Sequence, residues 1–384
     1  MIFKKNISPR NPVSELLVLV KNWKTDFCWL LPLPAAESSS VSRLRSSVSL
    51  FSSSVFRLPS SVQLFNTAYS LIFLLLLLST PSFSQKVQLK ETSTGIDFLL
   101  GNQPVLTYQT ATADVPPGVK AAYKKSGFIH PLTSPSGQVL TRIQPPDHYH
   151  HFGIWGPWTR ATINGREVDF WNLGDEKGRV DFSHVISRKQ AGGAAELNVR
   201  QNHLDLKAPE NQQLAIEEDL RIKVKPADKG RYMVDYTTTI STKIPGGILL
   251  DDFRYGGGIG FRATEVWGDA NSTILTSEGK DRKDADGSNA KWVIVKGKTA
   301  DVSGQSGILF LSHNTNKSHP EPLRVWPLGQ YKGEGNVFIE FCPIRHESWE
   351  IQPNERNTLK YRMIVFDGDL TAEEAEGYWK AFVK

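Results

Sequence analysis

Nine histidines occur in the 384-residue chain, and three fall within four positions, in Asp147-His148-Tyr149-His150-His151-Phe152-Gly153-Ile154-Trp155. Imidazole has the ordinary pKa nearest neutrality and is also a common metal ligand. Trp155 and Trp158 follow at once, and indole faces are flat apolar plates on which a sugar ring can lie. Titratable groups beside such plates are what a small-molecule site needs. On an extended strand, His148 and His150 would point to one side and His151 to the other. His148 and His150 are therefore the expected working pair. The spacing is neither a zinc-finger nor a His-Glu-x-x-His pattern, so no metal site and no cofactor are expected. A cation held by His148 and His150, with His130 or His313 as a distant third ligand, is the alternative.

Glu340 lies in the apolar run Val337-Phe338-Ile339-Glu340-Phe341-Cys342. A carboxylate among apolar groups is desolvated, which raises its pKa towards a value useful for proton transfer. His150, His148 and Glu340 are the expected catalytic set. Tyr255 and Arg262 flank a glycine run at 256–258, where backbone can approach a ligand closely. Arg324 and Trp326 follow a polar loop that begins at His313, an arrangement that could form half of a sugar pocket. With His130, His151 and Trp155, these residues make up the expected substrate-binding set. The plainer alternatives are ion pairs at a sheet rim, an outward-facing glutamate and a capped turn. There is no Gly-x-Ser-x-Gly, no phosphate-binding loop and no dinucleotide fingerprint.

The elements that must position these groups read as strands. Segments 96–100 and 105–108 flank the turn Gly101-Asn102-Gln103-Pro104, a hairpin signal. Segments 195–199, 214–224 and 232–241 alternate apolar and polar residues, the period of half-buried strands. Segments 292–295, 307–312, 337–341 and 358–366 look similar and are rich in β-branched and aromatic residues. The one convincing helix is the last, where Thr371 and Glu374 form a capping-box pattern ahead of an apolar stripe at Ala375, Tyr378, Trp379 and Phe382. The fold class is all-β, a large antiparallel supersandwich with a short C-terminal helix.

Residues 71–78 form an apolar run too short to span a bilayer, followed by small residues before Gln85, which reads as a signal peptide. The expected organisation is a leader over 1–60, a signal peptide over 61–84 and a single β-sandwich domain over 85–384. Eight of the 45 basic and three of the 40 acidic residues fall in 1–84, leaving 37 of each in the remainder. A neutral mature chain gives no support to nucleic-acid binding. Cys342 is the single thiol outside the leader and reads as an apolar filler. An exported protein, periplasmic or extracellular, with no membrane span after cleavage, is expected.

Phe128-Ile129-His130-Pro131, Ser134-Pro135-Ser136-Gly137, the 147–155 histidine segment, Tyr255-Gly256-Gly257 and Gly260-Phe261-Arg262 resemble the PmoA-like family of secreted bacterial proteins. Asp286-Gly287, Trp292, His313-Asn314, Asn316, His319-Pro320, Tyr361-Arg362 and Asp367-Gly368 fit the same pattern, so the resemblance covers nearly all of 85–384. The family name suggests methane oxidation, but the chain lacks the set of membrane helices that such an enzyme subunit carries. More loosely, Val337-Phe338-Ile339-Glu340, Ile351-Gln352-Pro353-Asn354-Glu355 and Leu359-Lys360-Tyr361-Arg362 resemble late strands of the aldose epimerases. That likeness implies a galactose mutarotase-like supersandwich in which a His acid and a Glu base open a sugar at its anomeric centre. Glu340 takes the place of the base, while His150 is chosen from composition. The expected function is an exported carbohydrate-active enzyme, with cleavage, elimination and epimerisation all open. The alternatives are a non-catalytic glycan-binding module and a histidine-ligated metal-dependent oxidoreductase.

Overall fold

The computed structural model describes residues 86–298 and 304–384. The expected leader and signal peptide lie outside the described residues. Two large sheets and one small sheet account for the architecture, and every pair of named strands is antiparallel.

The nine-stranded sheet runs Val87–Glu91, Gly95–Leu100, Gln103–Gln109, Phe128–Leu132, Ile154–Trp155, Ile259–Arg262, Phe338–Phe341, Glu321–Val325 and Asn289–Ala290. The eight-stranded sheet runs Ser272–Thr276, Trp292–Lys298, Gln305–Ser312, Asn357–Asp367, Tyr232–Ser241, Leu214–Pro226, Ala194–Asp205 and Gly178–Ala191. A four-stranded sheet is built from Trp349–Ile351, Ile248–Leu250, Arg160–Ile163 and Arg166–Asp169.

The two large sheets pack face to face. Alternate residues of Ala194–Asp205, Leu214–Pro226 and Tyr232–Ser241 are buried, as their period of two requires. Leu197, Ile222, Val234 and Phe310 from one sheet share a core with Ile129, Phe261, Ile339 and Val325 from the other. The rings of Phe261 and Phe310 meet across the gap with centroids 5.2 Å apart. The Tyr232 hydroxyl crosses it too, donating to the carbonyl of Val105 at 3.1 Å.

Some strands are buried on both faces. Trp292, Ile294, Leu309, Leu311, Ile364 and Phe366 form a second cluster on the outer face of the eight-stranded sheet. The C-terminal helix, Ala372–Phe382, covers it with Ala375, Tyr378, Trp379 and Phe382. The capping box is formed as the sequence predicts: Glu374 N–H donates to the Thr371 hydroxyl, and Thr371 N–H donates to the Glu374 carboxylate.

The outer face of the nine-stranded sheet positions the site. Ile154, Phe261, Ile339 and Val325 are paired in one row that faces the core. The next row, Trp155, Gly260, Glu340 and Arg324, is one residue along each strand, so its side chains lie on the opposite face. Arg262 and Phe338 pair in a parallel row on that same face. Phe338 joins a third cluster with Trp155, Trp171 and Trp326. That cluster explains why Phe338–Phe341 is buried at every position.

Candidate functional site

The histidine segment is a turn rather than a strand. His148 N–H donates to the carbonyl of Pro145 at 2.9 Å, and His151 N–H donates to that of His148 at 3.1 Å. Gly153 follows with φ +60°, where a Cβ would sit 2.3 Å from the Ile129 carbonyl oxygen, so only glycine fits without strain. The turn corrects the strand-based expectation. All three imidazoles converge, with ring centroids 5.1 Å apart for His148–His150, 4.7 Å for His148–His151 and 5.0 Å for His150–His151. One nitrogen from each lies within 4.8 Å of the other two.

The cluster stands at a cavity of about 280 Å³ whose other walls include Trp171, Asn172, Arg254, Tyr255, Arg324, Trp326 and Tyr331. His151 is the innermost imidazole, 1% exposed. It stacks on Trp171 at 5.6 Å and touches Phe338 at 4.9 Å. Its Nδ1 has no hydrogen-bond partner among the described residues. His148 is held at both nitrogens, with Asp147 Oδ2 3.3 Å from Nδ1 and the Tyr331 hydroxyl 3.2 Å from Nε2. Burial brings the His150 pKa down to about 3; the charges of His148 and Arg262 act the same way and Asp147 opposes them. Burial also holds His151 well below the usual imidazole range. Both rings are therefore neutral at pH 7.

Arg262 supports the site from behind. It is 1% exposed and donates from Nη2 to both Asp147 oxygens, at 3.0 and 2.8 Å, and to the Gly335 carbonyl at 2.7 Å. Its guanidinium lies 4.5 Å from the Trp326 ring centroid, a cation–π contact. Burial lowers its pKa to about 10, so it stays cationic at neutral pH. Arg262 thus orients Asp147 and Trp326 and is not itself part of the lining.

Arg324 lines the cavity and is held by Asp286 Oδ2 at 2.8 Å. Asp169 fixes the opposite wall: its Oδ1 accepts the backbone N–H groups of Trp171 and Asn172 at 2.9 and 2.8 Å. Tyr255 stands edge-on to Trp171, with centroids 4.8 Å apart. Behind His150 a water-sized hollow of about 10 Å³ touches Trp155 and Lys125. The Lys125 ammonium is buried and donates to the Val180 carbonyl at 3.0 Å; burial brings its pKa to about 8.

The remaining expected residues lie elsewhere. Glu340, expected in the catalytic set with the histidines, is on the site face of its strand but is fully enclosed and not in the cavity lining. One of its oxygens accepts the Gly256 N–H at 2.6 Å, and the other has no partner among the described residues. Burial pushes its pKa well above the usual carboxylate value. His130 is bonded to the Thr141 hydroxyl at 2.9 Å, and burial lowers its pKa to about 4; it is not in the lining. His313 packs edge-on against Phe382 of the C-terminal helix at 5.0 Å. The expected grouping of His313 with Arg324 and Trp326 is thus split, because the strand before His313 belongs to the other large sheet.

Trp171, Asn172 and Tyr331 are cavity residues that sequence reasoning missed. Trp171 sits in a loop with no strand period, and Tyr331 in a turn with φ +49°. No local pattern marks either, although a positive φ at a bulky residue is a feature that clusters at functional sites.

Solved structures to which the chain is distantly similar include a proposed kojibiose phosphorylase from the human microbiome (8% identity, 58% of this chain and 24% of that one, TM-score 0.29). Others are the heparan sulfate lyase HepC from Pedobacter heparinus (7%, 81% and 41%, TM-score 0.33) and a GalM/aldose epimerase homologue from C. elegans (10%, 75% and 100%, TM-score 0.32). The chain spans less than half the length of the first two. At such TM-scores none of these likenesses assigns a function. No curated protein matches the chain in sequence. Residues 95–380 match a family described as of unknown function, DUF6807, and the chain belongs to that family.

Proposed function

We propose that the cavity takes a carbohydrate and that the chain is an enzyme acting on it, with the histidine cluster at the reacting end. The observation that supports this most is the make-up of the cavity wall. The aromatic rings of Trp171, Tyr255 and Trp326 stand beside Arg254, Arg324 and three imidazoles. Aromatic faces suit the apolar side of a sugar ring, and guanidinium groups suit its oxygens. The volume is at the small end for ligand pockets, which fits about one sugar ring. His150 and His148 reach the ligand directly. Glu340, one layer behind, acts by holding the Tyr255-Gly256 backbone.

Calorimetric titration with a panel of mono- and disaccharides tests the binding half of this reading. Trp326→Ala is expected to weaken binding roughly tenfold or more, since loss of one stacked aromatic removes about 1–2 kcal/mol. His150→Ala is expected to leave binding nearly intact and abolish turnover. Binding without turnover in the wild type would favour a glycan-binding module instead.

We also propose that the protein is bacterial, of the PmoA-like kind, and exported after cleavage before Gln85. This rests on the sequence pattern alone. N-terminal sequencing of the native protein checks it, and an N-terminus within residues 1–60 would contradict it. Among the described residues no helix is long and apolar enough to cross a membrane.

A further inference from the structure

We propose that His148, His150 and His151 form a three-imidazole site for a divalent first-row transition metal, with its remaining coordination positions open to the cavity. This rests on the reading of the cavity as a substrate site and specifies what the cluster does there. It replaces the earlier alternative of two clustered histidines and a distant third.

The first support is geometric. One nitrogen from each ring lies within 4.8 Å of the other two. Two imidazoles bound to a tetrahedral zinc at roughly 2.0–2.1 Å would have their nitrogens about 3.3 Å apart. Rotation of the partly exposed His148 and His150 rings towards His151 would close the difference.

The second support is an unmet bonding need. His151 Nδ1 is buried and has no partner among the described residues, although buried polar atoms are nearly always bonded. Its ring is clamped by Trp171, Trp326 and Phe338, so its direction is fixed before any ligand arrives.

The third support is the outer layer. Asp147 lies 3.3 Å from His148 Nδ1 and is itself held by Arg262. A carboxylate on one ring nitrogen fixes the tautomer that leaves the other nitrogen free to ligate, as seen around bound metals. In His148 that other nitrogen is Nε2, which pairs with the Tyr331 hydroxyl at 3.2 Å on the cavity wall and would exchange that hydroxyl for the cation. Three protein ligands with an open position are the arrangement of a catalytic rather than a structural zinc site. Imidazole donors suit zinc, copper, iron and nickel. The remaining positions would open to the cavity that Arg324 and Trp326 also line.

The test is titration of chelator-treated full-length protein with Zn²⁺ and Co²⁺, following heat and the visible Co²⁺ spectrum. The wild type is expected to bind one equivalent. His148→Ala and His150→Ala, both partly exposed positions, are expected to weaken binding roughly a hundredfold, and Asp147→Asn about tenfold. His313→Ala, remote from the cluster, is expected to change nothing. Circular dichroism confirms that each variant folds, and X-ray absorption of the Zn²⁺-loaded wild type counts imidazole ligands without any variant. Failure of the wild type to bind, undiminished binding by both histidine variants, or fewer than three imidazoles on the metal overturns the proposal. Sugar titration of the metal-free protein needs no cation, and metal titration needs no sugar, so the site reading and the metal inference fail separately.

Discussion

Asp147 touches His148 on one side and Arg262 on the other, so one carboxylate links the imidazole cluster to a buried cation. Removing it would leave Arg262 nearly unpaired at 1% exposure. Asp147→Ala is expected to destabilise the fold by roughly 3 kcal/mol, measured by chemical denaturation, because a stranded buried charge costs more than the pair contributes. A second buried carboxylate gives a pH test. Glu321 accepts hydrogen bonds from Tyr361 at 2.8 Å and Asn316 at 2.9 Å, and also from Ser312. Burial nonetheless raises its pKa from 4.5 to about 7. A carboxyl whose folded pKa lies above its unfolded value favours the fold while protonated. Its contribution is complete below about pH 4.5 and is lost as pH rises through about 7. Glu321→Gln should therefore flatten this part of the stability profile between pH 5 and 8; an unchanged slope would show that Glu321 is not its source. The histidines, Arg324 and Trp326 were legible as residues of interest from type and spacing. Their convergence was not, because alternation on a strand separates His151 from its neighbours, whereas the turn at 145–151 gathers all three. Glu340 was legible as a desolvated carboxylate, but burial gives no sign of whether a group faces a cavity or lies behind one.

At the scale of elements, strands buried on one face announce themselves by period two: segment 232–241 is a strand end to end, and segments 195–199 and 214–224 needed only extension at their ends. The fourteen-residue strand Gly178–Ala191 went unread because it forms the edge of its sheet and most of its residues remain accessible; without a buried face there is no apolar alternation to see. The last helix was legible from its cap. Thr371→Ala is expected to cost about 1 kcal/mol by removing one end of the capping box, read from the denaturation midpoint. The turn that carries the histidines depends on Gly153. Gly153→Ala places a methyl against the Ile129 carbonyl at a positive φ. The expected result is a loss of about 2 kcal/mol or more, together with weakened ligand binding as the histidine turn shifts. Wild-type stability and binding in this variant would show that the turn has another way to fold.

For the whole molecule, the two large sheets supply a rigid platform, and the outer face of one carries the site on its middle strands. Trp155, Gly260, Glu340 and Arg324 lie in one row there, drawn from chain segments up to 185 residues apart. That distance is why the antiparallel fold class could be read from local patterns while the site's second wall could not. Trp171 and Tyr331 reach the histidines only through the pairing of whole strands. The central claim is that this assembled wall receives a sugar. The most direct measurement is calorimetric titration of metal-free wild type and Trp326→Ala with a broad panel of mono- and disaccharides. The account predicts saturable binding of at least one sugar by the wild type and affinity reduced roughly tenfold or more in the variant. No binding across the panel, or equal binding by both proteins, would contradict it.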